Sequence, residues 1–82
     1  MSELPQVSGP RLVRALERAG FLQLRQAGSH VTLRHSVDLT RRTTVPVHGS
    51  KAVRPGTLRA ILRGAGLTVD ELQTAALAQF TS

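Results

Sequence analysis

Apolar residues recur at helical spacing in three parts of the chain, and residues that favour helix ends flank them. Ser8 precedes the first part and Gly20 follows it, so we predict a helix that Ser8 caps and Gly20 ends. A second helix follows Pro55 and closes at Gly64 and Gly66. The apolar positions of these two helices are Leu12, Val13, Leu16 and Ala19, then Leu58, Ile61, Leu62 and Ala65.

A third, shorter helix is predicted near the C-terminus. Thr68 and Glu71 have the spacing of a capping box, in which each side chain accepts a hydrogen bond from the backbone N–H group of the other residue. Val69, Leu72 and Ala76 then recur at helical spacing and would form the buried face of this helix.

Between the first and second helices the apolar period changes to two, which predicts three strands. Gly28-Ser29 supplies the turn of a hairpin between the first two strands, and residues 36–41 form a loop before the third. Pro46 marks the third strand as an edge strand or a strand end. The apolar strand positions are Leu22, Leu24, Val31, Leu33, Val45 and Val47.

The order α-β-β-β-α-α predicts an α+β fold in which the helices pack on one face of a three-stranded antiparallel sheet. With the apolar strand residues facing the helices, the other face is polar and basic. His35 lies five residues after His30 and would point to the opposite side of a regular strand, so we expect it to be structural; a bulge would reverse such an assignment. We expect the polar face to carry Gln23, Arg25, His30, Thr32, Arg34, Arg42, Thr44 and His48.

The chain has 82 residues, enough for one domain. Residues 1–7 show no periodicity and are expected to form a flexible tail before a single domain over 8–80. The absence of cysteine excludes disulfides and thiolate metal sites, and the three histidines are not spaced as metal ligands, so we expect no metal and no cofactor. No apolar segment reaches membrane-spanning length and no signal-peptide pattern is present, which predicts a cytoplasmic protein without membrane contact.

Charge narrows the class of partner. Eleven lysines and arginines oppose five acidic residues, and the net charge is +6. A balance this basic favours a polyanion or an acidic protein as partner, although a solvated basic surface is the simpler alternative. Phe21 and Phe80 are the only aromatic residues among Phe, Trp and Tyr, which argues against a single-strand binder that stacks bases on an aromatic platform.

The Gly28-Ser29-His30 segment places an imidazole at the start of a strand, where a solvent-exposed turn histidine without a catalytic role is the simpler alternative. A neutral imidazole can take the proton of an RNA 2′-hydroxyl, so that the oxygen attacks the adjacent phosphorus. Gly28 and Ser29 are small enough to let backbone N–H groups approach the phosphate. His48 is a candidate for protonating the leaving 5′-oxygen, with a structural role as the alternative. Three arginines could bind the charged phosphate: Arg25, Arg34 and Arg42.

A second basic segment precedes the second helix. Lys51 and Arg54 could hold an RNA backbone, and the helix start at Gly56-Thr57 offers N–H groups and the positive end of a helix dipole. Ordinary helix capping beside a basic loop is an equally good account of these residues.

Several motifs in the chain, taken together, carry a family resemblance. They are Leu16…Gly20-Phe21, Gly28-Ser29-His30, Val45-Pro46-Val47-His48 with Lys51, and the segment 56–67. In order and spacing they resemble the HicA-type (YcfA-like) toxins of bacterial toxin–antitoxin pairs, from about Val7 to Leu72.

The resemblance implies a fold like the double-stranded RNA-binding domain and the activity of a ribosome-independent mRNA interferase, an endoribonuclease of a type II toxin–antitoxin system. It places the catalytic role on His30 and implies a HicB-type antitoxin that covers the active surface, with the toxin monomeric when alone. The chain departs from many members in Val31-Thr32-Leu33, where an aromatic residue is common, and in favouring arginine over lysine. These departures bear on substrate preference.

Three other functions are compatible with the residues. A non-catalytic RNA-binding module of the same fold would retain RNA intact, whereas an enzyme would cleave it. A DNA-binding helix-turn-helix over Thr57–Leu77 would shift duplex DNA in a gel, although the strand-rich first half does not suit that fold. An adaptor for an acidic protein would show no nucleic-acid activity.

Overall fold

The computed structural model describes residues 4–77, with the side chain of Leu77 left aside. Residues 1–3 of the predicted tail and residues 78–80 of the predicted domain lie outside the described residues. The elements are α1 (Gly9–Arg18), β1 (Phe21–Ala27), β2 (His30–His35), β3 (Arg42–Pro46), α2 (Pro55–Ala65) and α3 (Val69–Leu77).

The three strands form one antiparallel sheet in the order β1-β2-β3, and the helices pack on one of its faces. The predicted α+β layout is therefore confirmed. β3 is an edge strand and Pro46 is its last residue, as its proline indicated. The largest fully buried side chains, which join the two layers, are Phe21, Leu12, Leu16, Leu33, Leu58, Leu72 and Val45.

The predicted helix ends are also confirmed, with one difference. Ser8 Oγ accepts a hydrogen bond from Arg11 N at 3.4 Å, and the Thr68–Glu71 capping box forms with distances of 2.8 and 3.1 Å. Gly66 ends α2, but Gly64 lies within that helix. A Cβ at Gly64 would lie 2.6 Å from Arg42 O, so this glycine lets α2 approach β3 closely.

The face assignment of β1 was wrong. Leu22 and Leu24 are 58% and 40% exposed, whereas Gln23 lies on the helix side, where its Nε2 donates to Glu17 Oε2 at 3.4 Å. Phe21 takes the core position at the strand start and so reverses the alternation that follows.

A bulge in β1 then restores part of the prediction. Gln23 pairs with Leu33 and Arg25 with Thr32, so Leu24 is the extra residue. Arg25 consequently lies on the face away from the helices, as predicted. We call this face, opposite the helices, the open face.

The segment before α1 is packed against the domain in the part that the structure describes. Val53 N donates to Val7 O at 2.8 Å, and Ser8 forms an isolated bridge with Ala52. Leu4 and Val7 are partly buried against the core. These contacts did not follow from the lack of periodicity in residues 1–7. No helix among residues 4–77 has both the length and the apolar character needed to cross a membrane.

Candidate functional site

The β1–β2 hairpin turn consists of Gly28 and Ser29, since Ala27 pairs with His30 across it. Gly28 has φ +58°, and glycine with positive φ at the first turn position is the pattern of a type II′ turn. A Cβ at Gly28 would meet nothing within 4 Å. The turn therefore needs glycine for its backbone conformation, and the space above it is open. Ser29 O accepts from Val47 N at 2.6 Å, which ties the turn to the end of β3.

His30 is the first residue of β2 and lies exposed on the open face. Its partners across the sheet are Ala27 on β1 and Pro46 on β3. No residue between 4 and 77 hydrogen-bonds to its imidazole. Within residues 4–77, therefore, no hydrogen bond competes with a ligand for this side chain.

The open face carries three rows of side chains, each running across all three strands. The first row holds His30, the second holds Thr32, and the third holds Arg34. Thr32 Oγ1 and Thr44 Oγ1 share a hydrogen bond of 3.3 Å in the second row. The rows are Ala27–His30–Pro46, Arg25–Thr32–Thr44 and Leu22–Arg34–Arg42.

The sheet thus brings together the histidine and the three arginines that the sequence predicted. No carboxylate accompanies them on the strands. The acidic residues of the part that the structure describes lie on helices or in the loop between β2 and β3: Glu17, Asp38, Asp70 and Glu71.

A cleft of about 400 Å³ continues from the first row past the end of β3. Pro46 lines the cleft and is also the sheet partner of His30, so the two features are adjacent. His48 lines it as well and begins a turn in which its carbonyl oxygen accepts from Lys51 N at 3.2 Å. The remaining lining residues are Lys51, Ala52, Val53, Arg54 and Thr57.

The start of α2 opens toward this cleft. Arg54 is the N-cap residue and its side chain makes no capping hydrogen bond, while Pro55 has no N–H group. The first free backbone donors of the helix are then those of Gly56 and Thr57. Lys51, Arg54 and this helix start therefore lie in one place, beyond the open face at the end of the sheet.

His35 lies on the helix side of the sheet, as the spacing from His30 predicted. Its Nδ1 accepts hydrogen bonds from Val37 N at 3.2 Å and Asp38 N at 3.0 Å. Its ring meets Phe21 edge-on, with the centroids 5.2 Å apart. These contacts give His35 a structural role in holding the loop between β2 and β3.

The same loop is stabilised by Asp38. Its Oδ1 accepts hydrogen bonds from the Thr40 hydroxyl at 2.6 Å and from Thr40 N at 3.1 Å. These bonds, with a smaller contribution from Arg41, lower the pKa of Asp38 below its usual value. Among residues 4–77 no three His, Cys, Asp or Glu side chains are grouped as metal ligands.

Two features of the site did not follow from the sequence. The first is the exposed apolar area that Leu22 and Leu24 add beside the arginines. It could not be predicted, because the bulge and the position of Phe21 leave no mark in the alternation of residues. Pro46 indicated only an edge or an end, yet it joins the first row to the cleft. In the sequence, the only indication that Pro46 belongs to the site was its place within Val45-Pro46-Val47-His48.

Comparison with known proteins identifies the family to which the chain belongs. A family model described as HicA toxin of bacterial toxin-antitoxin matches residues 9–67. That range contains the complete sheet, the Gly28-Ser29 turn, the cleft and α2. A search of curated proteins finds no match. Because the family match covers well over half of the chain, the chain belongs to the HicA toxin family of bacterial toxin–antitoxin systems.

Proposed function

We propose that this toxin is a ribosome-independent and metal-independent mRNA interferase, an endoribonuclease of a type II toxin–antitoxin system, with His30 as its general base. The observation that carries the proposal is the exposed imidazole of His30 on a face with three arginines and no strand carboxylate. A base on a positive surface suits a phosphodiester, because the surface attracts the polyanionic substrate to the base.

The proposed reaction is an internal transfer at phosphorus. Neutral His30 takes the proton of a 2′-hydroxyl, the 2′-oxygen forms a bond to the adjacent phosphorus, and the bond from phosphorus to the 5′-oxygen breaks. The products are a 2′,3′-cyclic phosphate and a 5′-hydroxyl. The leaving 5′-oxygen takes its proton from His48 or from water.

Binding of the RNA backbone falls to the basic residues around His30. Gly28 and Ser29 leave open space at the turn, where a phosphate can approach the backbone. Arg25, Arg34 and Arg42 supply guanidinium groups on the open face. Lys51 and Arg54 add charge in the cleft, next to the start of α2.

Membership of a toxin–antitoxin family implies an antitoxin partner. We propose a HicB-type antitoxin that covers the open face, with the toxin monomeric alone and hetero-oligomeric in the complex. Leu22 and Leu24, both substantially exposed beside the arginines, support this assignment, since an acidic protein with apolar contact residues would match them. We place both the RNA and the antitoxin in the cytoplasm.

The first test is cleavage of a long mRNA in excess EDTA by the wild type and by His30→Ala. We expect the variant to lose about 10²- to 10⁴-fold in rate, the usual contribution of a positioned base. It should keep its fold and its RNA affinity, because the side chain is exposed and contacts no residue between 4 and 77 by a hydrogen bond. Products are resolved on a gel, and folding is checked by circular dichroism.

His48→Ala is the second variant, since it removes the exposed imidazole that lines the cleft and could protonate the leaving oxygen. A comparable loss in this variant would identify His48 as the general acid, and a small loss would leave that step to water. Unfolding of His30→Ala would make His30 a structural residue and contradict the proposal. Intact but shifted RNA with both the wild type and His30→Ala would instead identify a non-catalytic RNA-binding module.

A further inference from the structure

We propose that the substrate is single-stranded RNA whose backbone runs along β2 over the open face. In this arrangement the Arg34–Arg42 pair binds a phosphate two nucleotides away from the one that is cleaved at His30. The inference rests on the proposed function for its reaction centre. To the proposed function it adds that the RNA is single-stranded and that its backbone follows β2.

The first observation is the pairing of Arg34 with Arg42 across β2 and β3. Like charges directly opposite each other on one face of a sheet destabilise it. Between residues 4 and 77 no carboxylate forms an ion pair with either arginine. A phosphate bound between the two guanidinium groups would convert this repulsion into two attractive contacts.

The second observation is the spacing of the rows. Successive rows are two residues apart along a strand, which is about 7 Å. That repeat is close to the length of one nucleotide in an extended strand. Arg34 lies four residues from His30, so the arginine pair is about 13 Å from the reaction centre.

The middle row supplies polar groups at the intermediate position. Arg25 can contact the phosphate there, and the exposed Thr44 hydroxyl, which is hydrogen-bonded at 3.3 Å to the buried Thr32, can contact a sugar or a phosphate. Each row therefore offers at least one donor to the backbone. A positively charged track that follows the backbone is one of the features of proteins that bind single strands without sequence preference.

The proposed reaction also favours a single strand. The 2′-oxygen, the phosphorus and the leaving 5′-oxygen must come roughly into line, and a duplex holds the backbone away from that geometry. The three rows contain no Phe, Tyr or Trp on which a base could stack. Recognition of the backbone without base contacts predicts little dependence on sequence.

The test uses DNA oligonucleotides that contain a single ribonucleotide, so that each has one cleavable bond. Oligonucleotides are extended by zero to four nucleotides on one side or the other of that bond. The variant is Arg34→Gln with Arg42→Gln. The matched control is Arg59→Gln with Arg63→Gln, which removes the same charge from exposed positions of α2.

We expect the wild type and the control to gain about tenfold or more in kcat/KM when the extension on one side reaches two nucleotides. The Arg34 and Arg42 variant should lack this gain, so its kcat/KM relative to that of the control should fall about tenfold between the shortest and the extended substrates. Annealing the oligonucleotide to a complementary strand should abolish cleavage by the wild type. The melting temperature of the variant should equal or exceed that of the control, since a like-charge repulsion is removed.

Binding measured by fluorescence anisotropy in the His30→Ala background separates the two proposals. The slope of log affinity against log salt should fall by about 0.7 when the arginine pair is replaced, the value for one phosphate contact on a single strand. If the slope falls in this way but the wild type cleaves none of the oligonucleotides, the result would contradict the proposed function and support the strand path. The strand path would be overturned if variant and control showed the same dependence of kcat/KM on oligonucleotide length and the same slope of log affinity against log salt. The Arg34–Arg42 pair would then remain a contact for the protein partner. Equal cleavage of single-stranded and duplex substrates would overturn the class of RNA.

Discussion

His30 and His35 show how the environment of a residue decides what it can do. Both belong to β2, and because His35 follows His30 by five residues, an odd offset, the two side chains point to opposite faces. His30 has an exposed imidazole that can exchange a proton with a ligand. His35 has its Nδ1 occupied by two backbone donors and its ring against Phe21. The alternation of β2 was enough to predict this difference from the sequence.

Replacing His35 tests its structural role. We expect His35→Ala to lower the free energy of unfolding by about 2 kcal/mol, because two hydrogen bonds worth about 1 kcal/mol each are lost from the loop. Chemical denaturation of wild type and variant measures the difference. His48→Ala is the control, since His48 is exposed and its imidazole makes no hydrogen bond to residues 4–77. Equal destabilisation by both changes would contradict the role assigned to His35.

Among the elements, α1 and β3 meet at a point that fixes the end of the sheet. Gly9 is buried at the start of α1, and a Cβ there would overlap Pro46 O and lie 2.8 Å from Val47 Cα. The helix start therefore rests directly on the backbone of the strand end. Because Pro46 joins the first row to the cleft, this contact positions the candidate site.

Two glycine substitutions test this contact. We expect Gly9→Ala to destabilise the protein by about 1–3 kcal/mol, the usual cost of overpacking. Gly56→Ala is the control, because a Cβ at Gly56 would meet nothing within 4 Å; it should stabilise the protein by up to about 1 kcal/mol. Melting temperatures should therefore move in opposite directions. An unchanged melting temperature for Gly9→Ala would show that the two backbones separate without cost.

The elements also show where prediction from sequence stops. The types, order and ends of the helices follow from local signals such as Ser8, Gly66 and the Thr68–Glu71 pair, since capping involves neighbours in the chain. The face of β1 did not follow, because Phe21 and Leu22 are both apolar and only packing against the rest of the fold, α1 included, decides which of them is buried. A bulge is likewise a property of two paired strands, so nothing within β1 alone indicates it.

At the scale of the whole molecule, the charges are unevenly distributed. The strands carry arginines without carboxylates, while Glu17, Asp70 and Glu71 lie on the helices. At a net charge of +6 the positive side chains repel one another in the folded protein, and this repulsion is strongest on the open face. Acid increases this repulsion, since each carboxylate that takes up a proton adds one positive charge.

The stability of the protein should fall in acid for a second reason. Hydrogen bonds from Thr68 lower the pKa of Glu71 from its ordinary value of 4.5. A carboxyl group with a lowered pKa binds protons less readily in the folded state than in the unfolded chain. Its stabilising effect is therefore complete above pH 4.5 and is lost as the pH falls through the lowered value. Asp38 acts in the same direction below its ordinary value of 3.8.

Glu71→Gln tests this dependence. We expect its melting temperature to fall less than that of the wild type between pH 6 and pH 3, because one titrating group is removed. Glu17→Gln is the control, since it removes one carboxylate from a helix without removing a cap. Thermal melts at several pH values give the comparison. A decrease for Glu71→Gln as steep as that of the wild type would contradict the contribution of the capping box.

The bulge at Leu24 and the proline at position 46 have a common consequence for solubility. β1 and β3 are the two edge strands of the sheet. β1 contains an extra residue, and β3 ends at a residue without an N–H donor. Bulges and prolines on edge strands oppose pairing with a strand from another molecule. Both edges of the sheet thus carry a feature that opposes edge-to-edge aggregation of the toxin.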